Sequence, residues 1–211
     1  MRRQGLLWFL AAILAAVVGA QESKPVSLPA PQTDGGRPLM QVLKERKSTR
    51  EFSGEKLPAQ VLANLLWAGF GVNRLDGRRT APSAMNWQEI AIYVVMAEGA
   101  YVYDAAKNQL EPVAKEDLRN LTGAQSFVAT APVNLVYVAD LTKASGDASE
   151  KELFTGADTG FIAQNVYLYC ASEGLATVVR ASVDREALGK ALKLKATQKI
   201  VLAQTVGYPK K

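Results

Sequence analysis

Apolar and polar residues fall in blocks along this chain, and the blocks carry two different periods. Ile90 to Ala97 (IAIYVVMA) is an unbroken apolar run of strand length, the pattern of a buried strand. Glu98-Gly99 then turns the chain into Tyr101-Val102-Tyr103, which predicts a hairpin. Val133 to Ala139 and Ile200 to Val206 predict two more strands. Between them the spacing is helical. Pro38 to Arg46 predicts a short helix with proline in its first turn. Pro58 opens a second, with Val61, Leu62, Leu65 and Leu66 on one face. Glu150 to Glu173 predicts a long helix closed by Gly174, where left-handed backbone is needed. Its Gly156, Gly160 and Ala163 put small residues along one side, where another backbone can come close. Asp184 caps a short helix running through Leu192. Strands and helices interleave without a regular βαβ repeat, so the expected class is α+β. One mixed or antiparallel sheet would be packed by helices, including one long central helix.

The ends of the chain read differently. Met1 to Ala20 has a charged start (Arg2, Arg3), an apolar run from Leu6 to Val18 and the small-residue step Val18-Gly19-Ala20. This is the pattern of an export signal peptide, and the run is short for a bilayer span. Cleavage is expected, with an uncleaved amino-terminal anchor as the alternative, and a periplasmic or cell-envelope location follows. The paired arginines also admit a twin-arginine route. Gln21 to Arg37 carries Pro25, Pro29, Pro31 and Gly35-Gly36 and reads as a disordered, Pro-rich linker. The folded domain is expected over 38–211.

Composition removes several chemistries. The chain of 211 residues has no histidine, which excludes imidazole catalysis, histidine metal ligation and Ser-His-Asp or Cys-His mechanisms. Its one cysteine, Cys170, sits in an apolar helical stretch and reads as a buried structural thiol. The net charge of +5 falls to +3 without the two arginines of residues 1–20 (23 basic against 20 acidic). That balance is too mild to imply nucleic acid.

Two segments remain as candidate chemistry. In Arg46-Lys47-Ser48-Thr49-Arg50 an extended backbone would turn Arg46, Ser48 and Arg50 to one side. That side offers two guanidinium forks and a hydroxyl to a doubly charged oxyanion, most simply a phosphate. The alternative is a solvated basic turn. The long polar loop Gly71 to Gln88 contains Pro82, Ser83, Asn86 and Gln88, whose hydroxyl and amides both donate and accept hydrogen bonds. A flat heteroaromatic ring needs that mixture; a loop bonded to its own backbone is the other reading.

The two segments in this order resemble the nitroreductase family of FMN-dependent oxidoreductases. Its Arg-x-Ser-x-Arg strip stands here as Arg46, Ser48 and Arg50, and its Pro-Ser-x-x-Asn-x-Gln loop as Pro82, Ser83, Asn86 and Gln88. The family-type helix D-x-G-x-x-x-Q-N is Asp158 to Asn165, leading to Gly174-Leu175, and the chain closes on Gly207-Tyr208-Pro209-Lys210. The resemblance spans Leu39 to Lys211. It implies that the strip grips the FMN phosphate, with Lys210 as an added cation or else an exposed tail, and that the loop contacts the ring. By position, Arg180-Ala181-Ser182 corresponds more loosely to the segment that nears flavin N5, which makes Ala181 and Ser182 cofactor-binding candidates. Met85, Trp87 and Phe70 are either ring walls or core, and Asp158, Gln164 and Asn165 are structural. The resemblance further implies a homodimer and a ping-pong transfer of a hydride or electron pair to a small acceptor such as a nitro compound or quinone. The electron donor is NAD(P)H, a quinone or a redox protein. No side chain is assigned as a catalytic acid or base, and no metal is expected. A flavin-binding protein without turnover and a dedicated flavin oxidase or dehydrogenase acting on a peptide or small metabolite are the alternatives.

Overall fold

The computed structural model describes residues 24–211, so the expected signal region at 1–20 lies outside the described residues. In chain order the elements are β1 (Val26–Ser27), α1 (Leu39–Glu45), α2 (Ala59–Phe70), β2 (Ile90–Met96), β3 (Gly99–Asp104), β4 (Gln109–Ala114), β5 (Val133–Asp140), α3 (Ala148–Glu173), β6 (Ala176–Arg180), α4 (Arg185–Ala191) and β7 (Gln198–Gly207). The strands form one sheet in the order β1-β4-β3-β2-β5-β7-β6, and every neighbouring pair is antiparallel. The α+β class with one long helix is the class adopted. The sheet is antiparallel throughout rather than mixed.

The unbroken apolar runs follow from burial on both faces. In β2, Ile92 and Val94 pack with Leu62, Leu65, Leu66 and Phe70 of α2 and Ile162 and Val166 of α3. Tyr93 and Val95 point the other way, toward Leu188 and Leu192 beside α4. Each such side chain contributes about 1.5–3 kcal/mol when fully buried, which outweighs the weak intrinsic preference of either period. The close approach of α2 to α3 occurs at Gly69, where a Cβ would lie 3.1 Å from Val166. The glycines of α3 serve differently. A Cβ at Gly156 or Gly160 would meet nothing within 4 Å, and they face outward with the exposed Leu153 and Phe161. Asp147 and Glu150 close a capping box at the start of α3, and Gly174 ends it with φ +69°. Cys170 is fully buried between α3 and the sheet, and burial pushes its thiol pKa well up.

Two segments depart from expectation. Residues 24–37 do not run free as a linker. Val26 and Ser27 pair with Leu110 and Gln109, Asn108 donates its amide to the carbonyls of Leu28 and Pro29, and Gln60 donates to that of Ala30. The Arg37 N–H donates to Ser172 Oγ and its guanidinium pairs with Glu45. A Pro-rich segment has little to bury, but its backbone groups need partners, and the open edge of β4 supplies them. β4 itself was not anticipated, because Pro112 interrupts its pattern. β1 pairs only with Gln109 and Leu110, so Pro112 stands where β4 is an edge and needs no donor.

Candidate functional site

The basic strip begins where α1 ends. The Arg46 N–H bonds to Val42 O, and residues 46–50 then belong to no helix or strand. The Thr49 N–H donates to Thr177 O at 2.9 Å, which fastens the strip to β6 at the rim of the sheet. The carboxy-terminal tail pairs alongside: Ser53 N–H donates to Tyr208 O, Phe52 bridges Pro209, and Lys210 N–H donates to Glu51 O at 3.2 Å. The backbone of Lys210 therefore lies next to the end of the strip at Arg50 and Glu51. Beneath the strip lies Tyr167 of α3. Its hydroxyl is 2.8 Å from Ser48 Oγ and accepts the Val179 N–H at 3.0 Å, and its ring centroid is 5.2 Å from the Arg46 guanidinium carbon. Among the described residues neither Arg46 nor Arg50 has a carboxylate partner. A guanidinium pair with no internal anion suits an external one.

The amide-rich loop is held from below by two buried carboxyls. Ala84 N–H donates to Asp158 Oδ2 at 2.8 Å, and Ser83 Oγ donates to Glu89 Oε2 at 3.2 Å. Ser83 Oγ also accepts the Gln88 N–H at 2.9 Å. The Gln88 amide donates to Asn86 Oδ1 and Gly77 O and accepts from Arg79 Nε at 2.9 Å. These bonds hold Met85, Asn86 and Gln88 at φ +47°, +56° and +47°. Left-handed backbone costs about 1–2 kcal/mol at each non-glycine residue, so three within four residues persist only because the surroundings fix them. The hydroxyl of Ser83 and the amide of Gln88 are committed inside the loop, while the Asn86 amide keeps its donors.

Glu89 and Asp158 are 1% and 2% exposed. Burial raises the Glu89 pKa, and the facing Asp158 charge raises it further against the pull of backbone and Ser83 hydrogen bonds. Glu89 Oε1 meets no donor among the described residues, and both burial and the Asp158 charge favour the neutral form of Glu89.

Ala181 and Ser182 form a third group, after β6. Ala124 N–H donates to Ser182 O at 3.3 Å, and Val183 N–H to Ala181 O at 3.0 Å. The preceding Arg180 is 6% exposed and donates to Thr122 O, Asn134 Oδ1 and Thr205 Oγ1 at 2.6, 3.0 and 2.8 Å. Burial lowers its pKa to about 10, so it stays charged at neutral pH. Gly123 allows that packing, since a Cβ there would stand 1.9 Å from Arg180 Nη1.

One chain thus places the strip along β6, whose end leads into Ala181-Ser182, and seats the loop elsewhere on α3. The strip and the loop both rest on α3, at Tyr167 and Asp158, about 14 Å apart at 1.5 Å per residue. Phe70 is core, stacked under Arg79 at 4.8 Å, and Trp87 packs edge-on against Phe154 at 5.8 Å. Met85 is 69% exposed beside the loop. Asn165 donates to Gly69 O at 3.5 Å, while Asp158 does more than brace the helix. Tyr167, Glu89 and Arg79 join these candidates by their contacts with Ser48, Ser83 and Gln88. The signals were present: an acid directly before a fully apolar strand, and an arginine nine residues before a loop amide.

Comparison with known proteins places the chain in a family. Residues 43–208 match the model of the nitroreductase family. A candidate nitroreductase of Methanocaldococcus jannaschii is 32% identical over 171 residues, 74% of this chain and 85% of that protein. The crystal structure of a candidate nitroreductase from Ralstonia eutropha is 40% identical, covers 99% of this chain and 97% of its own, and superposes with a TM-score of 0.86. One from Desulfovibrio desulfuricans, solved in complex with FMN, shares the fold at 19% identity and a TM-score of 0.62, over 84% of this chain and 89% of that one. Over residues 43–208, from the basic strip to Gly207-Tyr208, the chain belongs to the nitroreductase family.

Proposed function

We propose that the protein is an FMN-dependent oxidoreductase that passes electrons through bound flavin to a small acceptor such as a nitro compound or quinone. The observation that carries this reading is the strip: two guanidiniums without internal anions, Ser48 and the neighbouring Lys210 on one rim of the sheet. That donor set fits a phosphate monoester. The strained, braced loop at Ala84–Gln88 fits the edge of a heteroaromatic ring, with the Asn86 amide as the free donor. The family membership and the FMN complex of the Desulfovibrio desulfuricans protein support the same cofactor.

Bound flavin would supply the two-electron chemistry, which a chain without histidine and with a buried, protonated thiol does not. The chain's own part is to anchor and orient. Arg46, Arg50 and Lys210 neutralise the phosphate; Tyr167 fixes Ser48; Glu89 and Asp158 hold the loop in one conformation. Ala181 and Ser182 would offer backbone to the ring. Because the strip and the loop stand well apart in one chain, the complete site is that of a homodimer, one protomer giving the strip and its partner the loop. The exposed stripe Leu153, Gly156, Gly160 and Phe161 on α3 supports a second copy there.

The amino-terminal signal pattern assigns the protein to the periplasm or cell envelope, where nicotinamide nucleotides are scarce. Its reductant is then a quinone or redox protein rather than free NAD(P)H. Rapid anaerobic flavin reduction by micromolar NADH would overturn that last statement. The cofactor assignment is tested by the visible spectrum of the purified protein and by Arg46→Glu. Wild type is expected to be yellow and the variant colourless; a yellow Arg46→Glu protein sinks the phosphate assignment.

A further inference from the structure

A short basic turn stands beside the braced loop, and the flavin reading gives it no task. Val72 bridges Arg79, Asn73 N–H donates to Arg78 O, and Gly77 N–H donates to Arg74 O, so residues 72–79 fold back on themselves. The turn is stitched to the loop by Arg79 to Gln88 Oε1 and by Gln88 to Gly77 O. Between turn and loop opens a cleft of about 420 Å³, walled by Arg74, Arg78 and Arg79 on one side and Pro82, Ser83 and Asn86 on the other.

The cations of this cleft are poorly balanced. Arg74 donates to Asn73 Oδ1 and to Arg79 O, and Arg79 to Gln88 Oε1 and Phe70 O; all of these acceptors are neutral. Arg78 pairs with Asp76 at 3.4 Å, and both are more than half exposed, so that pair contributes little. Lys143 donates to Gln88 O and adds a further cation at the base of the loop. Of the two carboxyls beneath the loop, Glu89 is held toward its neutral form by burial, while Asp158 bonds the Ala84 N–H, and Asp104 lies within electrostatic reach of Arg79.

We propose that this cleft selects the redox partner of the flavin: a small molecule bearing a carboxylate or phosphate, bound by Arg74 and Arg78 while its reacting end lies along the loop. The Arg74 fork, fixed by neutral acceptors, is preorganised for such an oxyanion, and the exposed Asp76 pair leaves Arg78 free to join it. The inference rests on the loop facing the flavin ring.

The test uses calorimetric titration of the oxidised full-chain protein with FMN present and no reductant, so that nothing turns over. The probes are 4-nitrobenzoate, 4-nitrophenyl phosphate and the neutral 4-nitrobenzyl alcohol. At least one anion is expected to bind about tenfold more tightly than the alcohol, and to lose that advantage in 0.5 M salt. Which anion is preferred separates the carboxylate from the phosphate source. Arg78→Gln removes only the exposed Asp76 pair from the turn; it is expected to lower anion affinity about fivefold and to keep its flavin, and Arg74→Gln/Arg78→Gln together to abolish the preference. If the protein is yellow and all three probes bind alike, the inference is overturned and the flavin reading stands. If it is colourless even with added FMN, the flavin reading fails first.

Discussion

Replacing Glu89 with glutamine tests the buried carboxyl pair directly. The amide keeps the shape of the side chain and an oxygen for Ser83, and its NH2 permanently takes the place of the proton facing Asp158. Burial and the Asp158 charge raise the Glu89 pKa above its ordinary 4.5 in the folded state. Below about pH 4.5 Glu89 is protonated folded or unfolded and costs nothing. As pH rises toward the raised folded value, the unfolded state releases its proton first, so stability falls; above that value the full penalty is present. Each unit of the rise is worth about 1.4 kcal/mol. Other carboxyls work in the opposite sense. Asp117, Asp140 and Glu98 are held low by hydrogen bonds from Arg119, Thr142 and Lys56, and their contributions vanish as pH drops. The difference between wild type and Glu89→Gln cancels those terms. Urea unfolding followed by tryptophan fluorescence from pH 4.5 to 9 is expected to show the variant gaining on wild type as pH rises. Glu89→Ala, which orphans Ser83 and opens a cavity, is expected to lose about 2–4 kcal/mol at every pH. Parallel curves for wild type and Glu89→Gln across the whole range would refute the reasoning, because the carboxyl would then titrate alike folded and unfolded.

Two further outcomes are checkable. Tyr167→Phe keeps the ring under Arg46 and removes the hydroxyl that fixes Ser48 and meets Val179 N–H; FMN affinity by fluorescence titration is expected to fall three- to tenfold, from the roughly 1 kcal/mol such a hydrogen bond contributes. Gly123→Ala puts a Cβ 1.9 Å from a guanidinium pinned by three bonds, and is expected to lower stability by about 1–3 kcal/mol; a loss below ~0.5 kcal/mol would mean that Arg180 moves aside freely.

Much of this molecule was legible because its local signals agree with its burial. The run IAIYVVMA is a strand, since both faces of β2 are covered, and Gly174 ends α3 in the left-handed conformation its position suggested. Arg46 and Ser48, two residues apart, both meet Tyr167, as the alternation along the segment predicts. What escaped depends on residues far apart in sequence. The ordering of residues 24–37 comes from an edge offered by residues 109 and 110 and an amide at Asn108, which no local composition encodes. The role of Glu89 depends on Asp158, 69 residues later, and Tyr167 acquires its role only where α3 passes under the strip. Gln88 shows the same gap from the other side. Its type suits a ligand, yet its amide is saturated by Arg79, Gly77 and Asn86.

Cys170 turns this architecture into an instrument. It is the one thiol of the chain, sealed on α3 three residues beyond Tyr167, with burial holding it protonated. Alkylating reagents reach it only when α3 lifts from the sheet, and that motion carries both Asp158 and Tyr167 with it. Labelling kinetics at this single sulfur therefore time the breathing of the helix on which the anion strip and the strained loop both depend.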